Sequence, residues 1–270
     1  MTLQETVPMP EATVKSQKAV DSGGTGSGEY KELSGLEEAV AQAVLDYNAD
    51  RFALGECEAE GHYIMDTEEE DGRVKSYVLT MYGMYGFEDG NFVKVSGSGV
   101  IPAVITHTKT PDGGYELLDY QIVMDGGMYL DSVKELFPKQ LQELCITPPE
   151  ELKGELEKQE RQYAAAYLGS IGRAAWIGEY RDFEHPLLTD MGVSVEVSNR
   201  MSEYRELADY PYWIGNLERV EAGTRYLYEM DYASESREIV YTKYDYDTGK
   251  IVEQHIFDSL TGQKKADQTS

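Results

Sequence analysis

The chain is punctuated by turn dipeptides set between runs of Val, Ile, Thr and Tyr. "CEAEGHYIMDTE" leads into "EEEDGR", "VKSYVLTMYGMYGF" into "EDGN", and "FVKVSGSGVIPAVITHT" into "PDGG", before "YELLDYQIVM" closes the series. β-Branched and aromatic residues suit a pleated surface, and Asp-Gly or Gly-Gly supplies the positive φ of a tight reversal. Reversals this short force neighbouring strands to be antiparallel. A second set, "LERVEAG", "TRYLYEMDYA", "SREIVYTKYDYD" and "KIVEQHIFDS", alternates apolar and polar residues and predicts a meander with one wet face. Gln263–Ser270 is expected to fray.

Helical signals frame these strands. "SGLE" places Ser34 as N-cap and Glu37 as its reciprocal partner, and Leu36, Val40, Ala43, Val44 and Tyr47 recur at helical spacing, predicting a helix over 35–48. "SVKE" predicts a second helix beginning at Ser132, which Pro138 splits or kinks. A third starts in "TPPEE", with Thr147 as N-cap and Pro148 as first residue, and runs to about Leu168 before Gly169 or Gly172. Its middle, "KGELEKQERQ", is polar all round and suits an exposed connector between two packed bodies. "VSVEV" reads as a short strand and "SEYRELADY" as a short helix. The expected fold is therefore α+β. A helix packs on a curved antiparallel sheet of cystatin-like or NTF2-like type, followed by a second antiparallel α+β unit. The expected divisions are a flexible tether over 1–29, an N-terminal domain over 30–150, and a connector helix with a β-rich domain over 151–270. The tether rests on Pro8, Pro10 and "DSGGTGSGE" in a polar stretch.

Charge narrows the function classes. Fifty acidic residues stand against 24 basic ones, a formal net charge of -26. Such a surface repels phosphate backbones and anionic headgroups, so nucleic acid is not an expected partner. The expected partners are a small molecule, a peptide or a cell-envelope ligand. The sequence carries no G-x-S-x-G elbow, no S-x-x-K serine, no P-loop and no HExxH, and no cofactor is expected. "DYDTG" at Asp245–Gly249 echoes the start of a calcium loop without its distal Glu, and a hairpin turn accounts for it fully. Cys57 and Cys145 leave open one disulfide or two free thiols.

The 21 tyrosines supply the binding candidates. Tyr63, Tyr77, Tyr82, Tyr85, Tyr115 and Tyr120 fall on the first strand set, where they would line a sheet concavity or pack within the sheet. His62 and His107 join them and could face each other across that sheet. In "KVSGSGVIPAV" the glycines are followed by Val100, Ile101, Val104 and Ile105, so strand chemistry, not a helix N-terminus, stands behind them. A bulge or kink in one long strand is expected there, or a tight reversal between two, and with it the sheet's curvature.

The stretch from "LEEAVAQAVLDYN" through the first strand set to "DSVKELFP" resembles the C-terminal extracellular part of BlaR/MecR-type membrane metallopeptidases of Gram-positive bacteria. "MGVSVEVSN" and "DYPYWIGNLERVEAGTRYLYE" look similar to the adjoining downstream segment in some of those proteins. The peptidase HExxH and the acylatable S-x-x-K serine of that family are both missing from this sequence. The resemblance implies an exported, membrane-tethered sensor or accessory region, joined in its parent to a membrane-embedded peptidase module. A complete native chain starting at Met1 would instead be cytoplasmic. The alternatives from other classes are a carboxylate-based hydrolase in the sheet concavity and a secreted interaction or inhibitor protein.

Overall fold

In the computed structural model, which describes residues 35–53 and 55–269, strand β2 (Arg73–Glu88) organises the molecule. It is buried along nearly its whole length, because both flanks and both faces are occupied. One flank pairs antiparallel with β1 (Cys57–Glu70) through the expected "EEEDGR" hairpin. The other flank pairs antiparallel first with β4 (Ile101–Lys109) and then, nearer the strand's end, with β3 (Asn91–Gly97). Strands β3 and β4 are thus one strand interrupted at 98–100, the kink expected from "SGSG". The Ser98 amide donates to the Tyr82 carbonyl at 2.8 Å, and the Ser98 hydroxyl accepts from the Tyr82 amide at 3.0 Å. Gly97 sits at φ +150°, where a Cβ would fall 2.2 Å from the Tyr82 oxygen, so only glycine fits the kink. Strand β5 (Tyr115–Ile122) closes this flank by pairing with β4.

The period-2 alternation of β2 sends its side chains to two different cores. Val78 packs with Ala103 and Ile105 under Val40, Ala43 and Val44 of helix α1 (Gly35–Asn48). On the opposite face Tyr77 meets Val133, Phe137 and Cys145 from helices α2 (Tyr129–Leu136) and α3 (Gln142–Ile146). Leu79 and Met81 meet Leu156 of helix α4 (Glu150–Ser170) on that same side. Pro138 lies in the break between α2 and α3, as expected.

Several details differ from the sequence reading. Ser132 lies inside α2, not at its start, and its hydroxyl donates to the Tyr129 carbonyl and accepts from the Met124 amide, both at 2.9 Å. Helix α4 is capped by Pro149, two residues beyond the expected Thr147. Nor is it exposed all round: Leu156, Glu160, Ala164 and Leu168 recur every four residues as a buried stripe. This stripe lies along β1, so the helix expected to connect two bodies instead packs back on the first sheet. The boundary expected at residue 150 coincides with its start, and all described residues belong to one compact unit. The tether expected at 1–29 and the Ser34 cap lie outside the described residues.

"VSVEV" forms not a strand but the first turns of helix α5 (Val195–Met201), because Ser194 caps it by accepting from the Val197 amide at 3.3 Å. The meander is as expected: β7 (Gly215–Glu221), β8 (Thr224–Ala233), β9 (Glu238–Asp245) and β10 (Ile251–Asp258) pair in order. The expected frayed tail is instead strand β11 (Lys264–Thr269), paired with β10. Helix α5 and the 3-10 turns beside it cover one face of the meander, where Val197, Met201 and Leu207 pack on Tyr228, Met230, Ile239, Tyr241 and Phe257. The whole is an α+β fold with eleven strands in one sheet. Its pairs are antiparallel except that of β3 with the short edge strand β6 (Ile177–Glu179).

An acidic tyrosine-lined cleft as the candidate functional site

The two halves of the sheet meet at the end of β2. Glu88 pairs with Leu217 of β7, the Asp89 amide donates to the Asn216 carbonyl at 2.9 Å, and the Asn216 amide donates to Asp89 Oδ1 at 2.8 Å. Continued antiparallel pairing would carry β7 down the flank of β2 toward Tyr85. That flank is already taken: the Glu56 amide, just before β1, donates to the Tyr85 carbonyl at 2.7 Å. From Glu218 onward β7 must therefore leave β2, and a wedge opens between β7 and Ala53, Gly55 and Glu56.

One side of the wedge is closed by charge. Arg225 donates from both terminal nitrogens to Glu56, at 2.6 and 2.8 Å, and also to Glu218 at 2.7 Å. Arg173, just beyond α4, forks onto the same Glu218 at 2.5 and 2.9 Å, its guanidinium 3.5 Å from the Phe87 ring centroid. The Tyr167 hydroxyl donates to Glu56 at 3.0 Å. All of these groups are largely buried. A buried bidentate pair keeps its geometry because each charge, once desolvated, depends on the others.

The other side is the cleft, about 820 Å³ in volume. Gly86, Phe87 and Glu88 of β2 form part of its lining, with β7 and the segment 206–213 around them. Seven carboxylates line it, and six of them are already paired: Glu56 and Glu218 in the arginine clamp, Glu88 with His185, Glu206 with Lys264, Glu221 with Lys243 and Glu253 with His255. Lys243 is held by Glu221 at 2.8 Å and lies 4.2 and 4.8 Å from the ring centroids of Tyr226 and Tyr228. The Tyr228 hydroxyl donates to the other oxygen of Glu221. Asp209 forms no salt bridge with another described residue, although its carbonyl accepts from Arg219 Nε at 3.2 Å. Tyr210, Tyr212 and Trp213 supply the aromatic wall. Glu88 is buried and its carboxyl is pushed above the usual range by that burial, while His185, 3.0 Å away, pulls it back. Partial desolvation raises Asp89 as well, although the residue is exposed. Asp209 and the ring faces of the wall together present chemistry that attracts cations.

The residues singled out from sequence lie elsewhere. Tyr77, Tyr82 and Tyr85 are almost fully buried in the sheet, Tyr63 is exposed, Tyr115 is half-buried, and Tyr120 stacks on Tyr47 at 4.2 Å. None of the six lines the cleft. His62 aligns with Thr80 of β2, and His107 with Val74. Six residues along a strand separate them by roughly 20 Å, so they do not face each other. His62 Nδ1 lies 3.0 Å from Glu60 Oε2, and Glu60 Oε1 accepts from the Tyr163 hydroxyl at 3.0 Å, a buried polar set beside α4. His107 is buried with neither ring nitrogen hydrogen-bonded. Cys57 and Cys145 are free and belong to separate core clusters, so no bridge joins them. Burial pushes the two thiols up to about 12 and about 11, which keeps them protonated and unreactive. Asp245 accepts from the Thr248 amide and hydroxyl, so "DYDTG" is the β9–β10 turn. Among the described residues, no three His, Cys, Asp or Glu side chains converge as a metal ion requires, and no helix is long and apolar enough to cross a membrane.

The cleft residues were hidden in "DYPYWIGNLERVE", where nothing local marks Tyr210, Tyr212, Glu218 or Glu221 as neighbours of Glu56. Comparison of the chain with protein-family models, with curated proteins and with solved structures finds no match.

Proposed function

We propose that this protein is a non-catalytic binding module whose ligand carries positive charge, held in the cleft between β7 and the segment 206–213. The observation that carries this reading is the cleft's composition, Asp209 without a salt bridge among the described residues beside an aromatic wall, in one concavity of about 820 Å³. Pockets that combine a concave shape with a few converging polar groups are where ligands are most often taken. The clamp of Glu56, Arg225, Glu218 and Arg173 fixes the aperture, so little ordering is needed on binding. The extracytoplasmic, membrane-tethered setting and the sensor role belong to the same proposal and rest on the sequence resemblance to the BlaR/MecR-type proteins. Topology reporters fused to the parent chain test that setting.

Titration calorimetry with spermine, with free arginine and with inorganic phosphate tests the ligand class. Spermine and arginine are expected to bind at low ionic strength, weaken as salt rises, and weaken further in an Asp209→Asn, Glu253→Gln variant. Phosphate binding in preference to spermine, or spermine binding untouched by these substitutions, would overturn the reading.

A further inference from the structure

Beside the cleft, the surface carries a ridge of aromatic side chains, with Trp176 and Tyr212 open and Phe183 and Tyr180 half-buried between them. Trp176 is 58% exposed and Tyr212 is 65% exposed, the two most accessible aromatic residues described. Tryptophan is highly buried on average, and Trp and Tyr are enriched among the energetic centres of protein interfaces. The two are joined by contacts. The Trp176 ring meets Phe183 edge-on at 4.7 Å. Phe183 follows the 3-10 turn at Tyr180–Asp182, where its amide donates to the Tyr180 carbonyl at 3.4 Å. The Tyr180 and Tyr212 hydroxyls share a hydrogen bond of 2.5 Å, and Tyr212 packs against Trp213 with ring centroids 5.0 Å apart. Tyr212 and Trp213 both line the cleft, so the ridge runs from the edge strand β6 into it.

The ridge is built on a rigid base. The Tyr180 ring stacks on His185 at 3.8 Å, Trp213 meets the same imidazole edge-on at 4.8 Å, and His185 is anchored by Glu88 at 3.0 Å. Aromatic side chains fixed this way offer contact area at small entropic cost. At the far end, β6 is the outermost strand of the sheet, and the carbonyl of Trp176 just before it accepts from the Phe92 amide at 2.8 Å.

We propose that the ridge and cleft together form one docking surface for a basic, extended segment of another protein. A Lys or Arg side chain enters the carboxylate-lined cleft, and flanking apolar or aromatic residues lie on Trp176, Phe183, Tyr180 and Tyr212. Charge complementarity selects this occupant: the chain carries a net charge of -26, and Asp209, in the cleft into which the ridge leads, forms no salt bridge with another described residue. The inference rests on the cationic reading of the cleft. It adds that the ligand is a peptide chain and that recognition extends beyond the charged pocket.

The two tryptophans of the full-length chain provide the test, because Trp213 is 3% exposed and Trp176 is open. Acrylamide quenching therefore reads Trp176. Three probes are compared at equal ionic strength: spermine, tetra-lysine, and a peptide with the same number of lysines interleaved with leucine and tryptophan analogues that do not fluoresce. The mixed peptide is expected to bind at least roughly tenfold tighter than tetra-lysine and to shield Trp176 from acrylamide. Trp176→Ala and Phe183→Ala are each expected to weaken the mixed peptide by roughly tenfold while leaving spermine binding unchanged. Far-UV circular dichroism of both variants confirms that the fold is retained. If spermine binds but the mixed peptide gains nothing over tetra-lysine, or Trp176→Ala leaves it unchanged, the ridge proposal is overturned and the cleft reading stands. If none of the three probes binds, both are overturned.

Discussion

Gly61 is the point of closest approach between α4 and the sheet, and Gly61→Ala measures how tightly the helix is set. A Cβ there would lie 2.4 Å from the Leu156 carbonyl oxygen and 2.9 Å from its Cα and carbonyl carbon. These are backbone atoms, so no rotamer change relieves the clash. Restoring ordinary contact at 3.4 Å requires α4 to retreat by about 1.0 Å, the difference between 3.4 and 2.4. A gap of ~0.5–1 Å forfeits a quarter to a half of the dispersion energy of the atoms it separates. Leu156, Ala164 and Leu168 are all buried in this interface. The retreat also pulls Gln159 from the free edge of β1, where its side chain accepts from the His62 amide at 2.9 Å and donates to the His62 carbonyl at 3.1 Å. Overpacking of this kind costs ~1–3 kcal/mol, and reduced unfolded-chain entropy returns ~0.4–1 kcal/mol. The net loss is about 1 kcal/mol, which for a chain of this size lowers Tm by ~2–4 °C. Gly154, exposed in the middle of the same helix with open space around its Cα, is the matched control. Gly154→Ala should stabilise by ~0.5–1 kcal/mol. Thermal melts followed by circular dichroism give both values, and hydrogen exchange at the His62 amide should quicken only in Gly61→Ala. A Gly61→Ala protein that melts within 1 °C of the parent would refute the packing argument, since α4 would then have room to spare.

Two further outcomes concern the buried charges. Arg225→Met removes the cation shared by Glu56 and Glu218 and should cost about 3 kcal/mol in urea unfolding, because both carboxylates stay buried with fewer partners. Adding Glu56→Gln should recover part of that loss, and a double variant no better than the single would argue against the clamp. His107 is held neutral, its pKa lowered by burial, while the Ala39 backbone works in the opposite direction. The unfolded chain therefore binds the proton more readily, and stability falls as pH drops through the unfolded value near 6.5 toward the lower folded one. A His107→Leu variant should lose less stability between pH 7 and pH 5, by up to ~1.4 kcal/mol per pH unit. Parallel pH profiles for parent and variant would exclude His107 as the cause.

The strands were readable because their signal is local. Alternation and Asp-Gly turns define β1 to β5 and β7 to β10 without reference to the rest of the chain. Helix α5 was misread because Val193, Val195 and Val197 alternate like a strand. The helical signal was present in the buried set Val193, Val197 and Met201, spaced by four, with Val195 outside it and 62% exposed. Strand β11 escaped notice because "KKADQT" has almost no apolar residue; what fixes it is the backbone edge of β10. The tyrosines on β2 misled for a different reason. Alternation tells that Tyr77 and Val78 point oppositely, but not that helices cover both faces. A strand covered on one face would have left one set free to line a concavity. Here α1 takes one face and α2, α3 and α4 the other, so Tyr77, Tyr82 and Tyr85 become core.

The cleft was illegible for a reason that also explains its existence. It is not a feature of any one segment but the result of two strands competing for one flank of β2. Glu56 reaches Tyr85 from one direction, and Leu217 reaches Glu88 from the other. Only Phe87 and Gly86 lie between these two attachments, too little length for either strand to continue past the other. The unpaired stretch must therefore splay, and the splay leaves Gly86, Phe87 and Glu88 at the floor of the cleft. The same crowding brings Glu56 within reach of Arg225, whose ion pair then keeps the splay from closing or widening. Sheet continuity, the clamp and the concavity are thus one structural solution. A substitution that lengthened the β2–β7 pairing would be expected to shrink the cleft and loosen the start of β1 together.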